Sequence, residues 1–322
     1  MTGRLLAAAV SILVCAVFVP AARAEWPERP VHWIVPFGPG GANDLIARVA
    51  AEAVRKGLGQ PIVIENRPGA GAVVGTVAVA KAAPDGYTFL IGGTGVITNS
   101  LLLKNLSYAD SDLVPVGMIA VAPSTIVVNP SVPASNMKEF VAWAKAQGDN
   151  GVTWATAGSG STPHFVAEMV KEASGISLTI VPFRSGSDGV NAVLANTASA
   201  TSEASIVVLP QIQAGLLKPI ATTYTKRISA YPSLPTTAEQ GYPTVEIGHW
   251  AGLLAPRGTP QPIIDRLAKE VSAILNKPDV RERMLKASFA VQYEDPAQLG
   301  ARITREVPMW KELVERAGVK IN

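Results

Sequence analysis

The run Val31-His32-Trp33-Ile34-Val35 is nearly unbroken in apolar character and stops at Pro36-Phe37-Gly38-Pro39-Gly40-Gly41. A short apolar run bounded by proline and glycine reads as a strand buried on both faces. Asn43 and Asp44 then stand where a helix N-cap belongs. Leu45, Ile46, Val49, Ala53 and Val54 give the following segment one apolar face, which Gly57 and Gly59 end. The unit recurs. Ile62-Val63-Ile64-Glu65 predicts a strand, Asn66-Arg67-Pro68-Gly69-Ala70-Gly71 a loop, and residues 72–82 a helix stopped by Pro84-Asp85-Gly86. Tyr87-Thr88-Phe89-Leu90-Ile91 is a third strand, followed by Gly92-Gly93-Thr94-Gly95. This alternation predicts a βαβαβ series and a parallel sheet.

From Val116 to Val128 a long apolar stretch, interrupted at Pro123, predicts a strand that crosses between two lobes. A second α/β series begins with a helix over 138–145, entered through Asn136 and Glu139 at capping-box spacing. Val152-Thr153-Trp154-Ala155 predicts a strand and 156–161 a loop. Thr162-Pro163 then caps a helix reaching Gly175. Strands are expected at 177–183 and 219–223 with a helix near 188–194, and Thr236 and Glu239 repeat the capping-box spacing. After a strand at 249–255, Thr259-Pro260 opens a helix over 263–275. The remainder is expected to be helical, around 280–286 and from 297 towards 317, with Gly318 as a stop. That tail is expected to return to the first lobe. The lobes are then residues 25–123 plus 247–322, and residues 124–246.

Residues 1–24 add an address. Arg4 precedes the apolar stretch Leu5–Ala22, and Ala22-Arg23-Ala24 offers small residues at a cleavage site. This order predicts a secretory signal peptide cut after Ala24 and a periplasmic location. A membrane anchor is the alternative, but Pro20 weakens the continuous helix it needs. Lipidation at Cys15 would need a small residue before it, and Val14 stands there. Losing the segment removes Arg4, Arg23 and the one cysteine, leaving 26 Lys and Arg against 25 Asp and Glu. Such a balance carries no electrostatic footprint of a nucleic-acid partner. Without cysteine there is no disulfide, thiol nucleophile or thiolate metal site. The remaining length suits two domains, and 48% hydrophobic against 16% charged residues suits strands covered on both faces.

In open α/β sheets ligands bind beyond the carboxyl ends of strands, where loops enter helix N-termini. Three loops fit: 37–44, 92–99 and 156–164, each rich in glycine and in hydroxyl or amide side chains. Glycine lets backbone N–H groups approach, and the helix dipole favours an anion, so a carboxylate can be held without a salt bridge. Glycines after strands also arise for steric reasons alone, which leaves the spacing ambiguous. Gly69-Ala70-Gly71 with Gly75 approximates a dinucleotide turn, but Pro68 lies in the loop and the next strand begins after Asp85 instead of ending in it. Ser159, Ser161 and Ser187 complete no Gly-x-Ser-x-Gly elbow. His32, His164 and His249 show no spacing for zinc. His32, within a strand, reads as a satisfied core histidine, and His164 as a pocket or packing residue.

Longer motifs carry a resemblance. Val35-Pro36-Phe37-Gly38-Pro39-Gly40-Gly41-Ala42-Asn43-Asp44 with Ala47-Arg48 resembles the opening motif of the Bug receptors, periplasmic binding subunits related to tripartite tricarboxylate transporters. Glu65 to Gly71, Pro84 to Thr88, Gly160 to His164, Leu234 to Glu239 and Trp250 to Pro260 are similar to later signatures, in order. The resemblance implies an α/β, two-lobed Venus-flytrap fold, type II-like, with a ligand cleft between the lobes. It implies a carboxylate held largely by backbone amides and water, nominating Phe37, Gly41, Ala42 and Asn43, then Thr94, Ser161, Thr162 and His164. One region departs from the family pattern. Phe183-Arg184-Ser185 replaces Tyr-Lys-Gly, and Ala192-Val193-Leu194-Ala195-Asn196-Thr197-Ala198-Ser199 replaces the Leu-Leu-Gly-Gly-Gln-Val-Asp segment. Phe183 and Glu203 complete the expected site, Glu203 either reading the far end of the ligand or lying in a solvated loop.

The expected function is capture of a small organic acid or related carboxylate or amide for the membrane subunits of such a transporter. A sensor docking on a membrane signalling partner uses the same cleft and stays open. No catalysis, metal, cofactor or nucleic acid is expected, and the receptor is expected to act as a monomer.

Overall fold

The computed structural model describes residues 26–149, 151–286 and 288–317. The expected leader with its cleavage site, and Gly318, lie outside them. In chain order the elements are β1 (Val31–Val35), α1 (Ala42–Leu58), β2 (Ile62–Asn66), α2 (Val73–Ala80), β3 (Thr88–Gly92), α3 (Gly95–Leu102) and β4 (Leu113–Val128). Then come α4 (Met137–Ala146), β5 (Thr153–Thr156), α5 (Thr162–Ser174), β6 (Thr179–Pro182), α6 (Gly186–Leu194), β7 (Ala200–Ala204), α7 (Ser205–Gln213) and β8 (Lys218–Thr222). The chain closes with β9 (Gly248–Pro256), α8 (Gln261–Leu275), α9 (Pro278–Lys286), β10 (Ala290–Glu294) and α10 (Pro296–Ala317).

The main strand path runs β2-β1-β3-β9-β4-β7-β5-β6. β1 pairs in parallel with β2 and β3, and β5 in parallel with β6 and β7. The sixteen-residue β4 joins these groups. Its Leu113–Pro123 portion runs antiparallel to β9, with β10 on the other side, and its Ser124–Val128 portion pairs antiparallel with β7 and β8. Pro123, expected to interrupt the strand, sits within it opposite Gly248.

The apolar reading of β1 follows from cover on both faces. Val31, Trp33 and Val35 pack with Ile46, Ala50 and Val54 of α1 and Leu267 and Val271 of α8, whereas Ile34 points to the opposite cluster with Val79 and Leu90. Successive strand side chains face opposite ways, so a strand lying between two helical layers must be apolar at both phases. Small residues Ala47, Ala50, Ala51 and Ala53 let α1 approach the sheet closely. Gly59, at φ +70°, ends the helix and donates its N–H to the Arg55 carbonyl.

The tail differs from expectation. It is not all helical, because β10 lies between α9 and α10 and adds to the edge of β4. Five residues too short to signal themselves gain hydrogen bonds from a strand far back in the chain. Near it, Arg302 of α10 binds Glu294 and Glu306, tying helix to strand. α10 packs on β4 and α3 and also reaches α5. The Trp310 and Phe165 ring centroids are 4.7 Å apart, and Arg316 pairs with Glu172 at 3.2 Å.

β7 and α7 were also not foreseen. Ala200-Thr201-Ser202-Glu203-Ala204 lacks an apolar run, yet lies buried between β4 and β5. Part of the expected 92–99 loop is helix α3. His32 is not a core histidine: its half-exposed ring lies 2.5 Å from Glu65 on β2.

Candidate functional site

Local hydrogen bonds shape the first glycine loop. Asp44 does not cap α1, whose N-cap is Gly41; it lies in the first turn and accepts from the Gly40 N–H and the Arg48 Nε. Asn66, at the end of β2, donates to Asp44 and to the Phe37 carbonyl. Burial raises the Asp44 carboxyl, but the bonds from Arg48, Gly40 and Asn66 outweigh it and hold the group below its ordinary range. A charged, fully engaged Asp44 thus locks the 36–41 loop and leaves the amides of the first turn of α1 with no side-chain cap.

The loop before α5 is built similarly. Its N-cap is Ser161, one residue before the expected Thr162, but the hydroxyl donates to Gly158 O instead of capping the helix. His164 Nδ1 accepts the Gly160 N–H at 2.9 Å. Burial drives the imidazole below its usual value, with Glu168 opposing, which keeps it a neutral acceptor. α3 likewise begins without a side-chain cap. α4 and α6 are different, with Asn136 and Ser185 accepting from Glu139 and Asp188 amides.

The uncapped starts of α1, α3 and α5 border one small cavity of about 30 Å³. Phe37, Gly41, Ala42, Asn43, Thr94, Ser161, Thr162 and Glu203 line it, eight of the ten residues expected from the sequence. His164 stands behind the wall and shapes the loop. Phe183 lines a separate outer pocket of about 810 Å³ with Gly71, Ser159 and Arg184, which shares Phe37 and Ala157 with the cavity. The outer pocket is the larger, but the cavity is the better candidate for the site. Of these two pockets the cavity is the one where helix N-termini and buried ionisable groups converge, whereas Arg184 of the outer pocket is mostly exposed. Asn43 also differs from its expected role, because its Nδ2 donates to Gly92 O at 3.2 Å and approaches Trp250 O at 3.5 Å. It joins α1 to β3 and β9.

Glu203 is not a solvated loop acid. It is 1% exposed on β7, and its carboxylate accepts a single hydrogen bond among the described residues, from the Ala204 amide. His249, which the sequence reading left unassigned, faces it. Its Nε2 lies 3.3 Å from Glu203 Oε1 but lacks the alignment of a hydrogen bond. Burial raises Glu203 to about 7, moderated by the Ala204 amide, and depresses His249 to about 3. Trp250 and Gly186 also border the cavity. The Trp250 motif was the available signal for β9; nothing local marked Gly186.

The cleft is closed. Gly38 N–H donates to Arg184 O, Ser187 Oγ to Pro39 O and Thr98 Oγ1 to Gly160 O, while the Thr94 and Thr162 hydroxyls lie 3.1 Å apart. Gly71 approaches the Ser159 carbonyl so closely that a Cβ would stand 2.2 Å from it. Entry of anything larger than a water or two requires these loops to part.

Two α/β groups joined through β4, with a polar cavity at their glycine loops, define a periplasmic-binding-protein fold. The chain belongs to the tripartite tricarboxylate transporter receptor family, whose model matches residues 46–319. It is 32% identical to protein BugT of Bordetella pertussis, the match covering 100% of this chain and 99% of that protein. Periplasmic binding protein BugD superposes with a TM-score of 0.88 at 37% identity, covering 92% of this chain and 99% of that one. MatC from Rhodopseudomonas palustris, solved with bound malate, gives 0.84 at 31% identity, covering 90% of this chain and 100% of that one. The family's receptors are substrate-binding proteins of the periplasm. Among the described residues no helix is long and apolar enough to cross a membrane, and no cluster of ligands could hold a metal ion.

Proposed function

We propose that this chain is an exported receptor that captures a small organic acid in the cavity and delivers it to membrane subunits of a tripartite tricarboxylate-type transporter. One observation carries the reading: α1, α3 and α5 begin without side-chain caps at a single closed cavity. The amides of Ala42, Asn43 and Asp44 in α1, of Gly95 in α3 and of Thr162 in α5 bond to no backbone carbonyl among the described residues, and the dipoles add in favour of an anion. The malate in MatC supports a carboxylate ligand.

In this reading the amides of Gly41, Ala42 and Asn43 hold the carboxylate. The Thr94, Ser161 and Thr162 hydroxyls complete its shell, directly or through water, and Phe37 forms the apolar wall. His164 positions the 158–161 loop, and Phe183 lines the approach. The lobes divide at 25–123 plus 247–322 against 124–246, and closure sequesters the ligand. Export follows cleavage after Ala24.

A panel of mono- and dicarboxylates, amino acids and amides tests the reading by calorimetry and thermal unfolding. At least one acid is expected to raise the midpoint, since a ligand for the native state stabilises it. A panel without a binder, together with native mass spectrometry showing no copurified acid, would overturn it.

A further inference from the structure

The cavity has an acidic pole as well as an anion-binding one. Among the described residues, Glu203 and His249 are the only titratable ones lining it. The Glu203 side chain reaches over the first turn of α6, where a Cβ on Gly186 would stand 1.6 Å from Oε2, so glycine alone leaves room for the carboxylate. Among the described residues its one hydrogen bond, from the Ala204 amide, goes to Oε1. His249 Nε2, also buried, has no hydrogen-bond partner among the described residues. A buried carboxylate with one hydrogen bond, beside an unsatisfied imidazole nitrogen, is incompletely solvated, a costly state unless something in the cavity completes it.

We propose that Glu203 sets the ligand class of this receptor: an acid whose other end carries an ammonium or amide donor, in preference to an acid with a second ionised carboxylate. The inference rests on the carboxylate reading of the cavity. The ligand carboxylate lies at the N-termini of α1 and α5, and its donor group meets Glu203 Oε2. A donor there supplies the missing hydrogen bonds, charge-assisted if it is an ammonium. A second carboxylate would bring like charges together in a site shielded from water, which discriminates by repulsion as much as by attraction. His249, kept neutral by burial, offers no compensating positive charge.

Isothermal titration with matched pairs tests this near pH 8: malonate against β-alanine, succinate against γ-aminobutyrate, and glutarate against δ-aminovalerate. Wild-type protein is expected to favour the amino acid in the best-fitting pair by about tenfold or more. In Glu203→Gln the preference is expected to fall to within about threefold or reverse, with an unchanged circular dichroism spectrum. Gly186→Ala displaces the same carboxylate without removing its charge and is expected to erode the preference as well. A wild-type preference for the diacid overturns the inference and leaves the carboxylate reading standing. So does a preference unchanged in both folded variants. If no member of any pair binds while another acid of the panel does, the inference falls and the carboxylate reading stands; if no acid binds and none copurifies, both fall. Should Glu203→Gln fail to fold, the wild-type ratio and Gly186→Ala still decide.

Discussion

Nε2 of His249 lies 3.3 Å from Oε1 of Glu203, and both side chains are all but sealed from water. Burial pushes the two groups in opposite directions, Glu203 up to about 7 and His249 down to about 3. A carboxyl raised in the fold contributes stability that is full below its unfolded value of 4.5 and lost as pH climbs through about 7. A depressed histidine contributes stability that is full above 6.5 and lost as pH falls towards about 3. The slopes oppose one another between 4.5 and 6.5. Glu203→Gln removes one of them. Urea unfolding of the variant and wild type should therefore diverge as pH rises, the variant gaining about 1.4 kcal/mol per pH unit. The total is on the order of 3 kcal/mol by neutrality. A constant difference would show that Glu203 titrates alike folded and unfolded.

Gly71 should matter for closure more than for folding. It holds φ +61° and would press a Cβ into the Ser159 carbonyl. Gly71→Ala is expected to fold with a loss of about 1–2 kcal/mol while binding a ligand about tenfold or more weakly. Small-angle scattering should show no ligand-induced contraction. Gly59→Ala is the control, because Gly59 has a similar φ but nothing within 4 Å of a Cβ. Equal effects of the two changes on binding would count against closure through Gly71.

Asn43 joins two roles. Asn43→Leu removes the bonds to Gly92 O and Trp250 O and leaves those buried carbonyls short of a donor. Chemical denaturation should register a loss of about 1–3 kcal/mol, together with weaker binding. Weaker binding at unchanged stability would mean that the side chain acts on the ligand alone.

Arg302 anchors the tail. It is 17% exposed and holds Glu294 and Glu306, which are equally shielded. Arg302→Met takes the cation from both carboxylates, leaving Glu294 with Gln292 and Glu306 with Trp310, and is expected to cost about 3 kcal/mol. Amide exchange should quicken at 290–294, where β10 pairs with β4 alone among the described strands. Unaltered exchange there would show that α10 does not hold the strand.

Sequence alone determined whatever rests on near neighbours. The Thr236–Glu239 capping box forms both of its bonds, and Asn136 receives the Glu139 amide as its spacing predicts. Glycine at positive φ and apolar runs between breakers are equally local, so the strands of the first sheet group, the glycine loops and the family were legible in the chain. Contacts between distant segments decided the rest. β7 is polar in composition and is a strand because β4 and β5 flank it; β10 exists because β4 offers an edge. The sequence leaves Glu203 either a ligand-reading acid or a solvated loop acid; folding sets Gly186 beneath it and His249 beside it and buries all three. A carboxylate's charge and preferred partner depend on its surroundings, and those surroundings are assembled from β7, α6 and β9 only in the tertiary structure.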